Sequence, residues 1–449
     1  YNQKRYSNKS PNHDVYEFSS LTVRSGASLF LFSYDGNGSA NNGRGLQDYG
    51  VRIIVDEDFE IEAGGLATSN GRGYARGVGP GTGCGAGHGG YGVSVSSQGV
   101  PYGSVKEPVT MGSGGCSRDY FGNWSYGGEG GGAVRLNVGG VLRVDGSLTA
   151  DGGPGTNNLT QGAVGAGGSL WLSADRIDGS GLISANGGSR AGAVGSGGGR
   201  IAIYENSRGS FPITNKSNIQ AFGGGGGSFG GAGTIYIDAD GQSGGNGDLW
   251  INNNNRNTEA AGVPYDAVNP VQQFNKIYLK EYGHLQIMGL DSTLVITDEE
   301  GLEGDTTVPR LEPQGLISLP ERFVVDRVNL DIIGDIEGAG DLEIGNGDEP
   351  AAVTLYAYTQ KRYTAKSPNH DVHILESLIV RDKSVLNLVS YDGNGTYMNA
   401  SSLSDYGVTL TLGRDFTVET GGVVTTNGRG YARGVGPGTG CGAGHGGYG

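Results

Sequence analysis

The sequence predicts an all-β protein, a parallel β-helix (β-solenoid) with long glycine-rich loops, and three observations lead there. Gly supplies 90 of 449 residues, about three times its usual share. Between the glycine stretches lie short runs of Val, Ile, Leu and Tyr that alternate with polar residues, the pattern of half-buried strands. A unit of 357 residues also repeats without a gap, the mark of a quasi-one-dimensional architecture.

The glycine content excludes two other classes. Gly loses more backbone entropy on folding than any other residue, so an ordinary globular core would not tolerate this much. No Gly-X-Y period runs through the chain and Pro is only 14, so it is not collagenous.

The repeat sets the domain organisation. Residues 1–92 return as 358–449: Gln3-Lys-Arg-Tyr6 becomes Gln360-Lys-Arg-Tyr363, and Tyr34-Asp-Gly-Asn-Gly38 becomes Tyr391 to Gly395. In all, 59 of the 92 aligned positions match, and Asn427–Gly449 is identical to Asn70–Gly92. Residues 1–357 therefore read as one full repeat and 358–449 as the start of the next. The last residues fall inside a glycine loop and Tyr1 is not Met, so the expectation is a window cut from a longer array. A signal peptide removed ahead of Tyr1 is the other reading.

Finer periodicity fills the repeat. Ala133–Val138, Val141–Val144 and Ser147–Ala150 are short runs separated by Gly139-Gly140 and Asp145-Gly146. Similar sets begin at Ser169 and Arg200. Strands of three to six residues bent at Gly or Asp-Gly corners are what one coil of a β-solenoid requires. Val134, Leu136 and Val138 are expected inward, with Arg135 and Asn137 facing solvent. Residues 1–263 form the glycine-rich part. Residues 264–357 are more acidic, with ten Gly in 264–358. They read as the same solenoid with shorter corners or as a separate sandwich-like module.

The net charge is −15, from 31 basic and 46 acidic residues. Without a basic patch interleaved with aromatics, neither nucleic acid nor an anionic membrane is an expected partner. No apolar run approaches the roughly 20 residues that span a bilayer, so no membrane insertion is expected.

The block Gly71–Gly92, nearly every second residue Gly, is the most distinctive stretch. It reads as a packed structural loop around Gly83, Gly85 and His88, repeated at Gly440, Gly442 and His445, against the alternative of a floppy linker. His88 and His445 lack the three or four converging ligands of a metal site, and a structural, hydrogen-bonded histidine is expected. Cys84 and Cys116 are expected to bridge and close the loop, with free thiols or interchain bridges as alternatives. Cys441 is the equivalent of Cys84. Sequons stand at Asn8, Asn37, Asn123, Asn158, Asn215, Asn394 and Asn399, against about four expected by chance. Asn37 and Asn394 share one Tyr-Asp-Gly-Asn-Gly turn and are the foremost glycosylation candidates.

Other chemistry is not indicated. Asp298, Glu299, Glu300, Glu303 and Asp305 lack calcium-loop spacing and read as a solvated acidic turn. No phosphate-binding motif or nucleophile–base set is present. No catalytic residue, metal or cofactor is expected, and the chain does not read as an enzyme.

Gly83-Cys-Gly-Ala-Gly-His-Gly-Gly-Tyr-Gly92, with strands such as Gly198-Gly-Arg-Ile-Ala-Ile-Tyr204, resembles the glycine-rich repeats of very large secreted surface proteins of protists and bacteria. Among these it is most similar in texture to the shaft proteins of tubular flagellar hairs (mastigonemes) of heterokont protists. The epidermal-growth-factor-like Cys modules expected in such a protein are absent from this stretch. The resemblance implies a non-catalytic structural subunit of an extracellular filament or surface appendage. Its partners would be neighbouring repeats and other extracellular structural proteins. An adhesin or glycan-binding β-helix is the alternative, and a polysaccharide-degrading β-helix enzyme is further off.

Overall fold

The structure, a computed structural model, describes residues 15–33, 50–93, 97–120, 123–155, 162–213, 215–239, 246–338, 340–356, 372–390 and 407–428. Among these the regular elements are all strands, and there is no helix long and apolar enough to cross a membrane. Most strands pair in parallel. The chain divides into two units, one of residues 1–264 with 274–287, the other of 265–273 with 288–449.

In the first unit a three-strand set recurs. Val51–Val55, Phe59–Ile61 and Leu66–Thr68 make one set; Ala133–Val138, Val141–Val144 and Ser147–Thr149 the next; Ser169–Ala174, Arg176–Asp178 and Leu182–Ser184 a third. First strands pair with first strands, so Ile53 stands beside Leu136, Leu136 beside Leu172, and Leu172 beside Ile203. Second strands align Phe59, Leu142 and Ile177, and third strands align Ala67, Leu148 and Ile183. These stacked side chains are the buried core. Period-two alternation puts like residues in register, so each set buries the apolar face of the last. At about 25 cal/mol per Å², a fully buried Leu or Ile contributes roughly 1.5–3 kcal/mol.

Two details depart from the expected pattern. Thr234–Ala239 pairs antiparallel with Asp248–Asn252, Ile235 opposite Trp250. Eight residues separate these strands, too few for a crossover that would keep them parallel, so the chain turns back. Val134, Leu136 and Val138 are buried and Arg135 is on the outward face, but it stands only partly in solvent: its guanidinium lies 3.6 Å from the centroid of the Trp171 ring on the neighbouring strand. It is half-buried, as is Asn137. The outward face of this sheet is lined with rings, Tyr204 lying between Trp171 and Tyr236, and an arginine stem packs there more favourably than in water.

In the second unit Arg322–Asp326, Asp341–Ile344, Ser377–Val380 and Phe416–Val418 form one parallel series. Asn329–Ile332, Ala352–Tyr356, Val385–Val389 and Val423–Thr425 form another. In the acidic stretch the partners are closer in sequence, Phe323 with Leu342 and Leu330 with Val353. Its corners are shorter and its pairing is parallel, whereas sandwich sheets are antiparallel.

The two copies share their pairing. Val15 pairs with Arg52 and Val372 with Thr409; Leu21 with Phe59 and Leu378 with Phe416; Ser28 with Leu66 and Val385 with Val423. Each partner in the second copy lies 357 positions beyond its counterpart. The corners agree too. Gly64 and Gly421 both take positive φ, +81° and +89°, and Lys383 holds φ 61° where the first copy has Gly26 at 78°. Keeping a lysine left-handed costs roughly 1–2 kcal/mol, which the surrounding strand pairs offset.

Candidate functional site

The glycine excursions lie between the third strand of one set and the first strand of the next. They are a packed layer of backbone, not loose connections. The Gly89 and Gly90 amides both donate to the Gly198 carbonyl, 2.8 and 3.1 Å away, and Tyr91 donates to Ala260. Gly73 donates to Gly130, Gly112 to Gly131, Gly131 to Ala166, Gly167 to Gly197 and Gly198 to Gly231, all at 2.7–3.0 Å. The block 71–92 thus crosses several successive excursions and satisfies their main-chain groups. An extended glycine segment leaves donors and acceptors on all sides. With no side chain in the way, neighbouring segments approach closely enough to use them.

The packing leaves no room for Cβ atoms. A side chain at Gly85 would strike the Gly195 carbonyl, and one at Gly83 the backbone at Gln98 and Gly99. One at Gly89 would strike the Gly199 carbonyl. Cys84 and Cys116 are joined by a disulfide with Cα atoms 4.7 Å apart, tying the block to the returning chain.

His88 is wholly buried in this layer. Its Nδ1–H donates to the Gly167 carbonyl at 2.7 Å, and Nε2 accepts from the Thr110 hydroxyl at 2.9 Å. A carbonyl only accepts, which fixes the tautomer. Burial, with the Arg200 charge adding to it, pulls His88 down to about 3, so the ring is neutral near pH 7. Both nitrogens are engaged, and Cys84 is oxidised. The ring therefore acts as a structural strut.

Arg200, first residue of its strand, is also wholly buried. Nε donates to the Tyr102 carbonyl at 2.9 Å and Nη1 to the Thr234 hydroxyl at 3.0 Å. Nη2 donates to the carbonyls of His88 and Gly262, at 3.3 and 3.0 Å. Burial lowers its pKa to about 9, leaving it charged at neutral pH. Hydrogen bonds to three main-chain carbonyls and one hydroxyl, from four separate segments, compensate the desolvation. Sequence reading placed Arg200 in a strand and missed this role. A signal was present, because residues of the same register, Ser169 and Thr234, are small and polar.

The remaining candidates are dispersed. Asn215 is exposed, its Oδ1 accepting from the Ser217 amide at 2.9 Å. Asn123 starts the short strand Asn123–Ser125, paired antiparallel with Arg118–Tyr120. Asn8, Asn37, Asn158, Asn394 and Asn399, and Gly440, Cys441, Gly442 and His445, lie outside the described residues. In the acidic cluster Asp298 accepts from the Glu300 amide and Asp305 from the Thr307 amide, so these carboxylates cap turns. Among the described residues no group of three or more His, Cys, Asp or Glu is placed to hold a metal ion.

No protein-family model, curated protein or solved structure matches the chain.

Proposed function

We propose that the chain is a non-catalytic structural subunit of an extracellular filament or surface appendage, built from tandem parallel β-helix repeats. The observation that carries this reading is the recurrence of strand pairs at an offset of 357. Leu21 with Phe59 and Leu378 with Phe416 are one structural step written twice, as a tandem array requires. Function is then mechanical: each coil covers the apolar edge of the one before, and length grows with the number of repeats. The glycine layer supports the same role. Its groups are consumed in holding backbone to backbone, and its histidine is neutral and fully bonded. A disulfide suits an oxidising, extracellular setting. Self-association with neighbouring repeats, together with other extracellular structural proteins, supplies the partners. A flagellar appendage of the kind the sequence resembles is one such setting.

Immuno-electron microscopy of native material with antibodies against the purified chain tests this. Label recurring along extracellular fibres is the expected result. Label confined to the cell interior would overturn it.

A further inference from the structure

The outward face of the first strands carries a patch assembled from successive coils. Arg52, Arg135 and Trp171 are register neighbours on Val51–Val55, Ala133–Val138 and Ser169–Ala174, and Asn137 and Ser173 are neighbours two residues further along. All five are half-buried. Tyr204, on the next strand, has its ring centroid 6.5 Å from that of Trp171, and its hydroxyl donates to the Lys106 carbonyl at 2.8 Å. That bond holds the ring in place. The two cations are not balanced. Among the described residues neither guanidinium meets a carboxylate or another hydrogen-bond acceptor. The Nε atoms of Arg52 and Arg135 are buried without a partner, and so is Asn137 Oδ1. Burial lowers the pKa of Arg135, the Arg52 charge lowers it further, and Glu107 acts against both. Arginines on nearby strands are paired, Arg143 with Asp145 at 2.6 Å and Arg176 with Asp178 at 2.9 Å. Nor does the coil require a cation here. The counterpart of Arg52 in the second copy is Thr409, which pairs with Val372 as Arg52 pairs with Val15.

We propose that this patch binds an acidic polysaccharide, with a carboxylate or sulfate held by Arg52 and Arg135 and a sugar ring packed against Trp171 and Tyr204. An anion there gives both guanidinium groups an acceptor, and charge-assisted bonds of this kind are the stronger ones. It also relieves the repulsion between two adjacent cations. Asn137 Oδ1 can only accept, so it needs a donor. A sugar hydroxyl supplies one, and a bare inorganic anion does not. The two half-buried rings offer apolar faces with polar rims, which suit the C–H face of a pyranose. Nucleic acid fits worse. A duplex carries a charge about every 1.7 Å, far denser than two arginines can match, and a chain of net charge −15 repels it. A polysaccharide with one charge per ring, or fewer, matches the pair. The sequence shows no basic patch interleaved with aromatics because the members of this one come from strands far apart in the chain. The site does not rest on the filament reading; it would tie such a filament to a surrounding acidic glycan.

Binding of the purified chain to immobilised polygalacturonate and dextran sulfate tests this, with neutral dextran and oligothymidylate as controls. Arg52→Thr installs the residue that the second copy holds at this position, and Arg135→Gln removes the other charge. Arg143→Thr removes a cation of the same unit outside the patch. Circular dichroism checks that β content is kept, and if Arg135→Gln does not fold, Arg52→Thr alone decides. The wild type should bind at least one of the two acidic polymers, less tightly as salt rises; which one tells carboxylate from sulfate. Each patch variant should bind at least about tenfold more weakly, and Arg143→Thr should bind like the wild type. No binding to either acidic polymer would overturn the proposal. So would neutral dextran or oligothymidylate bound as tightly, patch variants that bind like the wild type, or an Arg143→Thr loss equal to theirs. Antibody labelling of native fibres is independent of every one of these results, so the two readings fail separately.

Discussion

Arg200 donates through Nη2 to the main-chain carbonyl of His88, 3.3 Å away, with both residues wholly buried. The contact joins a strand of the first unit to the glycine block 112 positions earlier in the chain. Arg200→Ala takes the guanidinium away from the carbonyls of Tyr102 and Gly262, while the His88 carbonyl keeps the Tyr102 amide, 2.9 Å away. A buried unsatisfied acceptor costs about 1–3 kcal/mol, so the variant should lose at least about 2 kcal/mol. Urea unfolding compared with the wild type measures it; a loss under about 1 kcal/mol would contradict the role assigned to Arg200.

His88 makes stability depend on pH. Its folded pKa is about 3 against an ordinary 6.5. Between those values the unfolded chain binds a proton that the folded one refuses, so stability falls as pH drops from about 6.5 toward 3. The slope from this group approaches 1.4 kcal/mol per pH unit. Half-buried Asp151, raised above its ordinary value by desolvation, opposes it at the acid end, since its folded form binds the proton more readily. Subtracting the unfolding profile of His88→Gln from that of the wild type isolates the histidine. Parallel profiles would show that His88 is not the buried neutral group described.

Three glycine-to-alanine changes should separate steric from conformational cost. Gly407 has open space and no positive φ, so Gly407→Ala should stay within about 0.5 kcal/mol of the wild type. Gly77 also has open space but holds φ +69°, and its alanine should cost about 1 kcal/mol. At Gly89 the new methyl meets the Gly199 carbonyl, and overpacking should cost roughly 2–3 kcal/mol. Thermal unfolding of the three variants gives the ranking. A neutral Gly89→Ala would mean that the glycine layer is loosely packed.

How much of this was legible in the sequence depends on where each interaction is written. Strands such as Ala133–Val138 could be read locally, because alternation needs only adjacent residues. The block around His88 was legible as packed structure from its exact repetition. Its partners were not. The bond from Gly89 to Gly198 spans 109 positions, and a glycine carries no side chain to mark what it faces. Alternation placed Arg135 on the outward face, where it stands, but not its cover, Trp171, which comes from the neighbouring strand. The reversal before Asp248 is set by the eight residues that precede it, a length effect that composition hides.

Reducing the Cys84–Cys116 bridge should destabilise the first unit. The bridge spans 32 positions, and freeing such a loop in the unfolded chain costs on the order of 3–4 kcal/mol. Urea midpoints with and without reductant, and with Cys116→Ser, measure it. An unchanged midpoint would indicate that the glycine layer alone holds the block.

Asn215 is exposed and belongs to an intact Asn-Lys-Ser sequon. Peptide mass spectrometry of native material should find a glycan there, and removal of Asn-linked sugars should leave aspartate at that position. A fully unmodified Asn215 peptide would withdraw the sugar without touching the strand pairing on which the structural reading stands.

X-ray fibre diffraction from oriented native filaments tests the central claim most directly. Parallel strands stacked coil on coil place their hydrogen bonds along the filament. A strong reflection near 4.7–4.8 Å parallel to the fibre axis is the predicted result. The same spacing perpendicular to the axis, or no such reflection, would contradict it.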